Sequence, residues 1–237
     1  MQKYYYDLHL HSCLSPCGDM DMTPNNIVNM ALLEELTAIA VTDHNSCENA
    51  EAAMKVALGT GLVVIPGMEV QTREDIHVVT LFPNIEKAKA MQQIVYDKLP
   101  PFPVPKKQRE KQLIMDDDDE IVGFCDKLLN MSADLSIDEV VETAASLDGI
   151  AIPAHIDRKS MSILASLGFI PKNLPVKTLE VSMFGDLEEY EATYPNYRII
   201  TDSDSHELGH IGLVRNTIDV ETVSPHGIIK ALNTAVV

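Results

Sequence analysis

Apolar residues fall into short, nearly unbroken runs, and several of these runs end in a histidine or a carboxylate. Residues 4–9 form the first run, and residues 37–45 pass from Thr-Ala-Ile-Ala-Val into Thr42-Asp43-His44-Asn45. Residues 62–70 end at Glu69-Val70, residues 76–82 begin Ile-His-Val-Val, and residues 149–155 close on His155. Residues 178–182 and 197–206 add two more, the last ending Asp202-Ser203-Asp204-Ser205-His206. Runs of this length and character predict buried strands. Between them lie stretches with helical periodicity. Thr23-Pro24 is a helix start, an N-cap followed by proline at the first helical position, for a helix over 24–36. Residues 48–58, 84–98 and 226–235 predict further helices, and Ser136-Ile137-Asp138-Glu139 opens another with a capping-box pattern.

About seven strand–helix units in this alternation predict an α/β fold with a mostly parallel sheet, closed as one barrel-like domain over 1–237. A small helical or loop excursion is expected at about 84–135. There Pro100, Pro101, Pro103 and Pro105 break the chain, followed by a basic stretch (106–111) and an acidic run (116–120). Such charge runs are read first as solvated faces.

The hydrophobic fraction of 46% and charged fraction of 23% are those of a globular protein. No apolar run approaches the roughly 18–20 residues of a membrane span. The N-terminus lacks the apolar core of a signal peptide. The expected location is the cytoplasm, with no membrane partner. A net charge of −18 argues against long nucleic acid as a partner and leaves room for a small phosphorylated substrate at a locally cationic site. Cys13, Cys17, Cys47 and Cys125 make no disulfide framework, and Cys13 and Cys17 lack the second pair that a zinc site would need.

His9 and His11 stand at positions i and i+2 at the end of the first strand, so both side chains leave one face. Of eight histidines, five (His9, His11, His44, His155, His206) fall at or just past a predicted strand's C-terminal end. In α/β folds that edge carries function. With Glu69, His77 and Asp204 they offer more imidazole and carboxylate ligands than one ion accepts. Two or three divalent ions (Zn, Mn or Fe) are therefore expected, with Glu69 bridging.

Five motifs in order, Asp7-Leu8-His9-Leu10-His11-Ser12, Val41-Thr42-Asp43-His44-Asn45, Pro66-Gly67-Met68-Glu69-Val70, Pro153-Ala154-His155 and Ser203-Asp204-Ser205-His206, resemble those of the PHP (polymerase and histidinol phosphatase) domain family, small phosphoesterase branch. The resemblance implies a distorted (β/α)7 barrel with a trinuclear metal site. It places His9, His11, Glu69 and Asp204 on a first metal, and Glu69, His77 and His155 on a second. His44, His206 and a residue of the loop after His11 would hold the third. Asp19 is the candidate for that loop ligand and Asp21 its competitor. Arg158, three residues after His155, matches the family position that meets substrate phosphate, although Ile156 stands where the branch often has proline. A surface pairing with Asp157 is the alternative for Arg158. Lys159 and His210 are further substrate-binding candidates, and Asp43 is expected to orient a ligand or a water.

The implied reaction is metal-dependent hydrolysis of a phosphate ester, with hydroxide generated from a water of lowered pKa. An exonuclease, or a hydrolase of oligonucleotides or nucleoside bisphosphates, is the alternative within the family. A non-catalytic metal-binding module and an amidohydrolase-type C–N hydrolase are the alternatives outside it. The latter commonly needs a strand-end lysine, which no strand here supplies.

Overall fold

A computed structural model describes residues 4–214 and 216–234. Among these, the strands are β1 Tyr4–Leu10, β2 Ala38–Val41, β3 Val63–Gln71, β4 His77–Leu81, β5 Leu113–Met115, β6 Ile121–Phe124, β7 Ile150–Pro153, β8 Thr178–Ser182, β9 Arg198–Asp202 and β10 Asn216–Ile218. The helices are α1 Pro24–Leu33, α2 Ala50–Val56, α3 Ile85–Lys98, α4 Lys106–Arg109, α5 Ile137–Ser146, α6 Ile163–Leu167, α7 Leu187–Thr193 and α8 Pro225–Leu232. The helix predicted over 226–235 is seen as α8, and residue 235 lies outside the described residues.

The helix starts follow the sequence signals. Thr23 Oγ1 accepts from Asn26 N at 3.3 Å, and Pro24 is the first residue of α1. Ser136 and Glu139 form the reciprocal capping box at α5. α1 stops at Leu33, short of the predicted 36, because Glu35 turns to a φ of 56° and Leu36 N folds back onto Ala31 O.

Six strands form one sheet in the order β10-β1-β2-β3-β4-β7, and β8 pairs in parallel with β9. Backbone bonds join the two pieces. Ile156 N, just past β7, donates to Glu180 O on β8 at 2.8 Å, and His11 N donates to Ser205 O, just past β9, at 2.9 Å. Seven strands thus enclose one interior, with β10 outside the ring as an antiparallel partner of β1. β4 runs antiparallel to both β3 and β7. Its first residue, His77, therefore lies at the barrel end where the other strands finish.

The lower interior is apolar. Tyr6, Leu8, Ala38, Ala40, Ile65, Val79, Leu81, Ile150, Ile152 and Ile200 pack there, with Ile228, Ile229 and Leu232 of α8 closing the bottom. The outer strand faces join the helices in a second, larger cluster. Strict alternation along β1 would continue Tyr6 and Leu8 inward to Leu10. Instead Leu10 belongs to the outer cluster, because the β1–β2 register shifts between Asp7 and Leu10. A bulge of this kind re-aims the side chains beyond it, and it turns His9 and His11 inward. Gly67 lets β3 approach β4 closely: a Cβ there would sit 2.4 Å from Thr80 O.

The segment expected to leave the barrel at 84–135 divides in two. α3 packs into the core through Ala88, Met91 and Val95, whereas residues 99–131 form α4 and the β5–β6 hairpin beside the loops that follow β1 and β2. Leu113 N donates to Cys13 O at 3.2 Å, and Asn49 Nδ2 donates to Leu113 O at 3.0 Å. The acidic run is not wholly a wet face. Asp119 accepts from Thr23 Oγ1 at 2.6 Å and from Asn25 N at 3.0 Å, which puts a carboxylate at the positive end of α1.

Candidate metal centre

Above the apolar floor, the barrel interior becomes polar. Glu69 is 1% exposed, and its carboxylate stands among five imidazoles. Oε1 lies 2.8 Å from His77 Nδ1, 3.2 Å from His155 Nε2 and 3.3 Å from His9 Nε2. Oε2 lies 2.8 Å from His44 Nδ1 and 3.4 Å from His11 Nε2. Asp204 Oδ1 lies 3.2 Å from His11 Nε2 and 3.5 Å from His9 Nε2. His206 stacks on His11 with ring centroids 4.3 Å apart. Eight of the sequence-derived metal candidates (His9, His11, His44, Glu69, His77, His155, Asp204 and His206) are thus brought together.

Supporting side chains aim these ligands. His9 Nδ1 lies 2.9 Å from Glu180 Oε2, and His11 Nδ1 lies 3.0 Å from Ser15 Oγ. Ser15 Oγ in turn donates to Asp43 Oδ1 at 2.6 Å and accepts from His44 N at 3.1 Å. Asp43 is fully buried and also accepts from Ser12 N and Ser12 Oγ, at 2.7 and 2.6 Å. It holds the loop that carries His11 and does not line the cleft. Three residues of the strand-end motifs, Asn45, His155 and Asp204, have φ of 53°, 31° and 49°. Backbone strain of this sort gathers where side chains must be aimed.

Burial pushes both HxH imidazoles toward neutrality. At His9 the carboxylates of Glu180, Asp204 and Glu69 outweigh burial and hold the pKa well above the usual value. At His11 burial is reinforced by His206 and His44, and the pKa lies well below it. Burial also disfavours the Glu69 carboxylate, but His77, His9 and His44 outweigh it and keep Glu69 ionised.

The residues fit divalent ions. His77 Nε2 and His155 Nδ1 are buried without a hydrogen-bond partner, and the close pairs His44 Nδ1–Glu69 Oε2 and His11 Nε2–Asp204 Oδ1 give Glu69 Oε2, His44 Nδ1 and Asp204 Oδ1 no well-aligned hydrogen bond, an arrangement that costs free energy unless something else satisfies them. Three sets of ligand atoms lie mutually within 4.8 Å: His11, His44 and His206; His9, His11 and Asp204; His44, Glu69 and His77. They open into a cleft of about 320 Å³ that is also lined by Cys17, Gln71, Asn130, Arg158 and Met161.

Arg158 turns to the cleft rather than to Asp157. Its guanidinium lies 2.7 Å from Asp204 Oδ2, while Asp157 accepts from Ser182 N and Oγ, at 2.7 and 2.6 Å. Lys159 and His210 are exposed and do not line the cleft. Asp19 and Asp21 are exposed too and belong to none of the three ligand sets. From that loop Cys17 lines the cleft, although it too is exposed and belongs to none of the three ligand sets. Burial raises its thiol pKa, but bonds to His206 and His44 outweigh that and bring it to about 7. Cys13, by contrast, is buried with its Sγ 3.5 Å from Met115 Sδ, so the two cysteines share no site. Glu180, Ser15 and Cys17 were not picked out from the sequence. For Glu180 the sequence holds only half a signal: Thr178, Glu180 and Ser182 share one polar face of a strand, and nothing in the pattern says whether that face turns to solvent or inward.

Comparison with known proteins gives the family and the fold. A family model described as PHP domain matches residues 7–135. A stretch of 88 residues, 35% of this chain and 28% of the relative, is 35% identical to the 5'-3' exoribonuclease Rnm of Salmonella typhimurium. The lesion-specific endonuclease PfuEndoQ of Pyrococcus furiosus superposes over 98% of this chain and 56% of its own, with a TM-score of 0.77 at 19% identity. An endonuclease Q complex with a 27-mer duplex bearing an abasic lesion matches the same shares, with a TM-score of 0.73 at 18% identity. The chain thus spans little more than half of the two endonucleases, which share its (β/α) barrel fold, and the matched stretch covers 28% of the exoribonuclease. These relatives overturn the argument from net charge against long nucleic acid, and with it the preference for a small phosphorylated substrate. The physical reason is screening. Charges farther apart than about 8 Å are largely screened at physiological ionic strength, so the sum over the chain does not set the potential at one cleft. Among the described residues no helix is long and apolar enough to cross a membrane.

Proposed function

The chain belongs to the PHP domain family, and from that premise we propose that it is a metal-dependent hydrolase of phosphodiester bonds in nucleic acid. The observation that carries this reading is the buried cluster of imidazole and carboxylate ligand atoms packed around Glu69. Divalent ions bound there supply Lewis-acid neutralisation of phosphoryl oxygens and a water of lowered pKa. In this reading His9, His11, Glu69, His77, His155, Asp204, His44 and His206 hold the ions. Glu180 and the Ser15–Asp43 pair fix the orientation of His9 and His11. Arg158, at the mouth and already within 2.7 Å of a carboxylate oxygen, is the group that grips a non-bridging phosphoryl oxygen. Gln71 and Asn130 add amide groups along the same wall.

The nucleic-acid reading draws on two things. One is the named activity of the relatives. The other is the position of α4, whose Gln108 Nε2 donates to Asn130 Oδ1 at 2.7 Å. That contact sets α4 beside a residue that lines the cleft, with Lys106, Lys107 and Lys111 exposed on the same segment.

The test is hydrolysis of end-labelled single-stranded and duplex RNA and DNA, with and without an abasic site, by protein loaded with Mn(II) or Zn(II). His9→Ala and Asp204→Ala should abolish cleavage. Arg158→Ala should lower kcat about 100- to 1,000-fold with metal content unchanged, the usual cost of losing one donor to developing charge. Full activity in metal-stripped protein would sink the proposal.

A further inference from the structure

Nucleic acid offers a protein two kinds of surface, charged phosphates and flat neutral bases, and the metal centre with Arg158 addresses only the first. The loops after β7 and β8 supply a counterpart for the second. Among the described residues, Phe184, just past β8, is the most exposed large apolar side chain, at 84%. Single apolar side chains on a surface are ordinary. This one differs in where it stands and how firmly it is held. β8 and β9 run parallel with Ser182 opposite Asp202, so Phe184 leaves the barrel at the same end as Asp204. Gly185 N donates to Ser182 O at 2.9 Å and Phe184 N donates to Ser182 Oγ at 3.3 Å, which closes the turn. The turn is also bolted to the neighbouring loop. Asp157 accepts from Ser182 N and Oγ, and a Cβ at Gly185 would run into Val181 Cγ1 and the Asp157 carboxylate. The next residue in that loop is Arg158, whose guanidinium reaches Asp204. Farther along it, Met161 accepts from His77 N at 3.0 Å through its carbonyl, and its side chain, 41% exposed, lines the cleft. One fixed frame thus carries an arginine and two apolar side chains. Beyond Phe184 stand Asp186, Glu188 and Glu189, all exposed, whose charge repels phosphate and leaves a neutral face as what that spot can accept.

We propose that Phe184 is a stacking platform for an unpaired base of the strand whose phosphate Arg158 grips, so that the site takes single-stranded nucleic acid in preference to intact duplex. Inside a duplex both faces of a base are already stacked, and a base can lie on the ring only once it is unpaired and unstacked. Every base has a flat face to offer, so the preference is for strandedness and not for sequence. This role rests on the nucleic-acid reading above, since it concerns how the same cleft receives its strand.

The full chain, loaded with Mn(II), is assayed on short end-labelled oligonucleotides as single strands and as duplexes of the same sequence. Single strands should be cut with the higher kcat/KM. Phe184→Ala should lower kcat/KM on single strands roughly 5- to 100-fold, the cost of losing one base–aromatic stack. Phe184→Leu should lose as much, because it keeps apolar area without a ring, and Phe184→Trp should restore the rate. The side chain is exposed, so these variants leave the core untouched. A baseless tetrahydrofuran residue is then placed at each position of the strand in turn. At one position it should cost the unaltered chain as much as Phe184→Ala does, and cost Phe184→Ala nothing further. The chain has no tryptophan, so Phe184→Trp also sets a sole indole at the spot, and its fluorescence should be quenched by single strands and not by duplex. Equal rates for Phe184→Ala and the unaltered chain, Phe184→Leu matching Phe184→Trp, or duplex cut as readily as single strand would overturn the role of Phe184 while leaving the nuclease reading standing. Failure of the metal-loaded, unaltered chain to cut any of these strands would overturn both.

Discussion

Ser15 Oγ has one proton to give and two lone pairs to offer, and all three are committed. The proton goes to Asp43, and one lone pair takes His44 N. The remaining contact, to His11 Nδ1, must therefore be one in which the imidazole donates. That fixes the tautomer: Nδ1 carries the hydrogen, and the Nε2 lone pair faces Asp204 and Glu69. Glu180 plays the equivalent part for His9, and its Oε1 also accepts from His155 N at 3.3 Å. Glu180→Gln should weaken metal binding about 10- to 100-fold, as loss of a ligand-orienting carboxylate commonly does, read by calorimetric titration with Zn(II). Ser15→Ala should weaken it in the same direction while leaving His9 oriented. A variant that binds as tightly as the unaltered chain would show that the partner does not orient its histidine. At this scale the sequence was uneven. His9 and His11 were legible because a strand sends i and i+2 to one face. Glu180 was not, because one acid in a five-residue strand looks the same whether that face meets solvent or a barrel interior. Cys17 was not, because a loop has no period from which to infer direction.

The seven strands of the ring and helices α1, α2, α3, α5 and α8 follow the patterns read from the sequence, since burial on both faces of a strand leaves an unbroken apolar stretch, whereas the short β5, β6 and β10 and helices α4, α6 and α7 were not foreseen. Two further features escaped that logic. The bulge in β1 is a register event between two chains and leaves no trace in either alone. The reversal of β4 is likewise invisible, because a strand's apolar pattern is the same in either direction. Once β4 is seen to be antiparallel, the position of His77 at the start of its run, which looked anomalous beside the other histidines, becomes the same position in space. The basic stretch read as a solvated face is exposed, as expected, and Gln108 within it touches Asn130, which lines the cleft. Replacing Lys106, Lys107 and Lys111 together by alanine should weaken binding of single-stranded nucleic acid. It should also flatten the slope of log K against log salt by roughly 2, since each phosphate contact contributes about 0.7. Fluorescence anisotropy at several salt concentrations measures it, and an unchanged slope would remove α4 from the binding surface.

For the molecule as a whole, buried carboxylates and imidazoles crowd one end of a barrel whose other end is apolar. An ion bound there acts on the folded state alone. At a free concentration 100 times its Kd, one ion adds about 2.7 kcal/mol, and for a chain of this size that raises Tm by roughly 5–10 °C. Differential scanning calorimetry before and after chelation checks this, and a Tm indifferent to chelator would show that no ion binds the folded state in preference to the unfolded one. The reversed strand has a consequence for how such a molecule can change. β4 carries the chain down the barrel, α3 returns it, and residues 99–131 must then cross at the ligand-bearing end before α5 descends again. Asn45 ties that crossing down, its Nδ2 donating to Leu129 O and Met131 O at 2.8 and 2.9 Å. Any residues gained or lost in this crossing therefore change the mouth of the cleft while leaving every barrel register intact. The segment is a lintel over a fixed doorway, and a change in its length would reshape access to the ligand-bearing end.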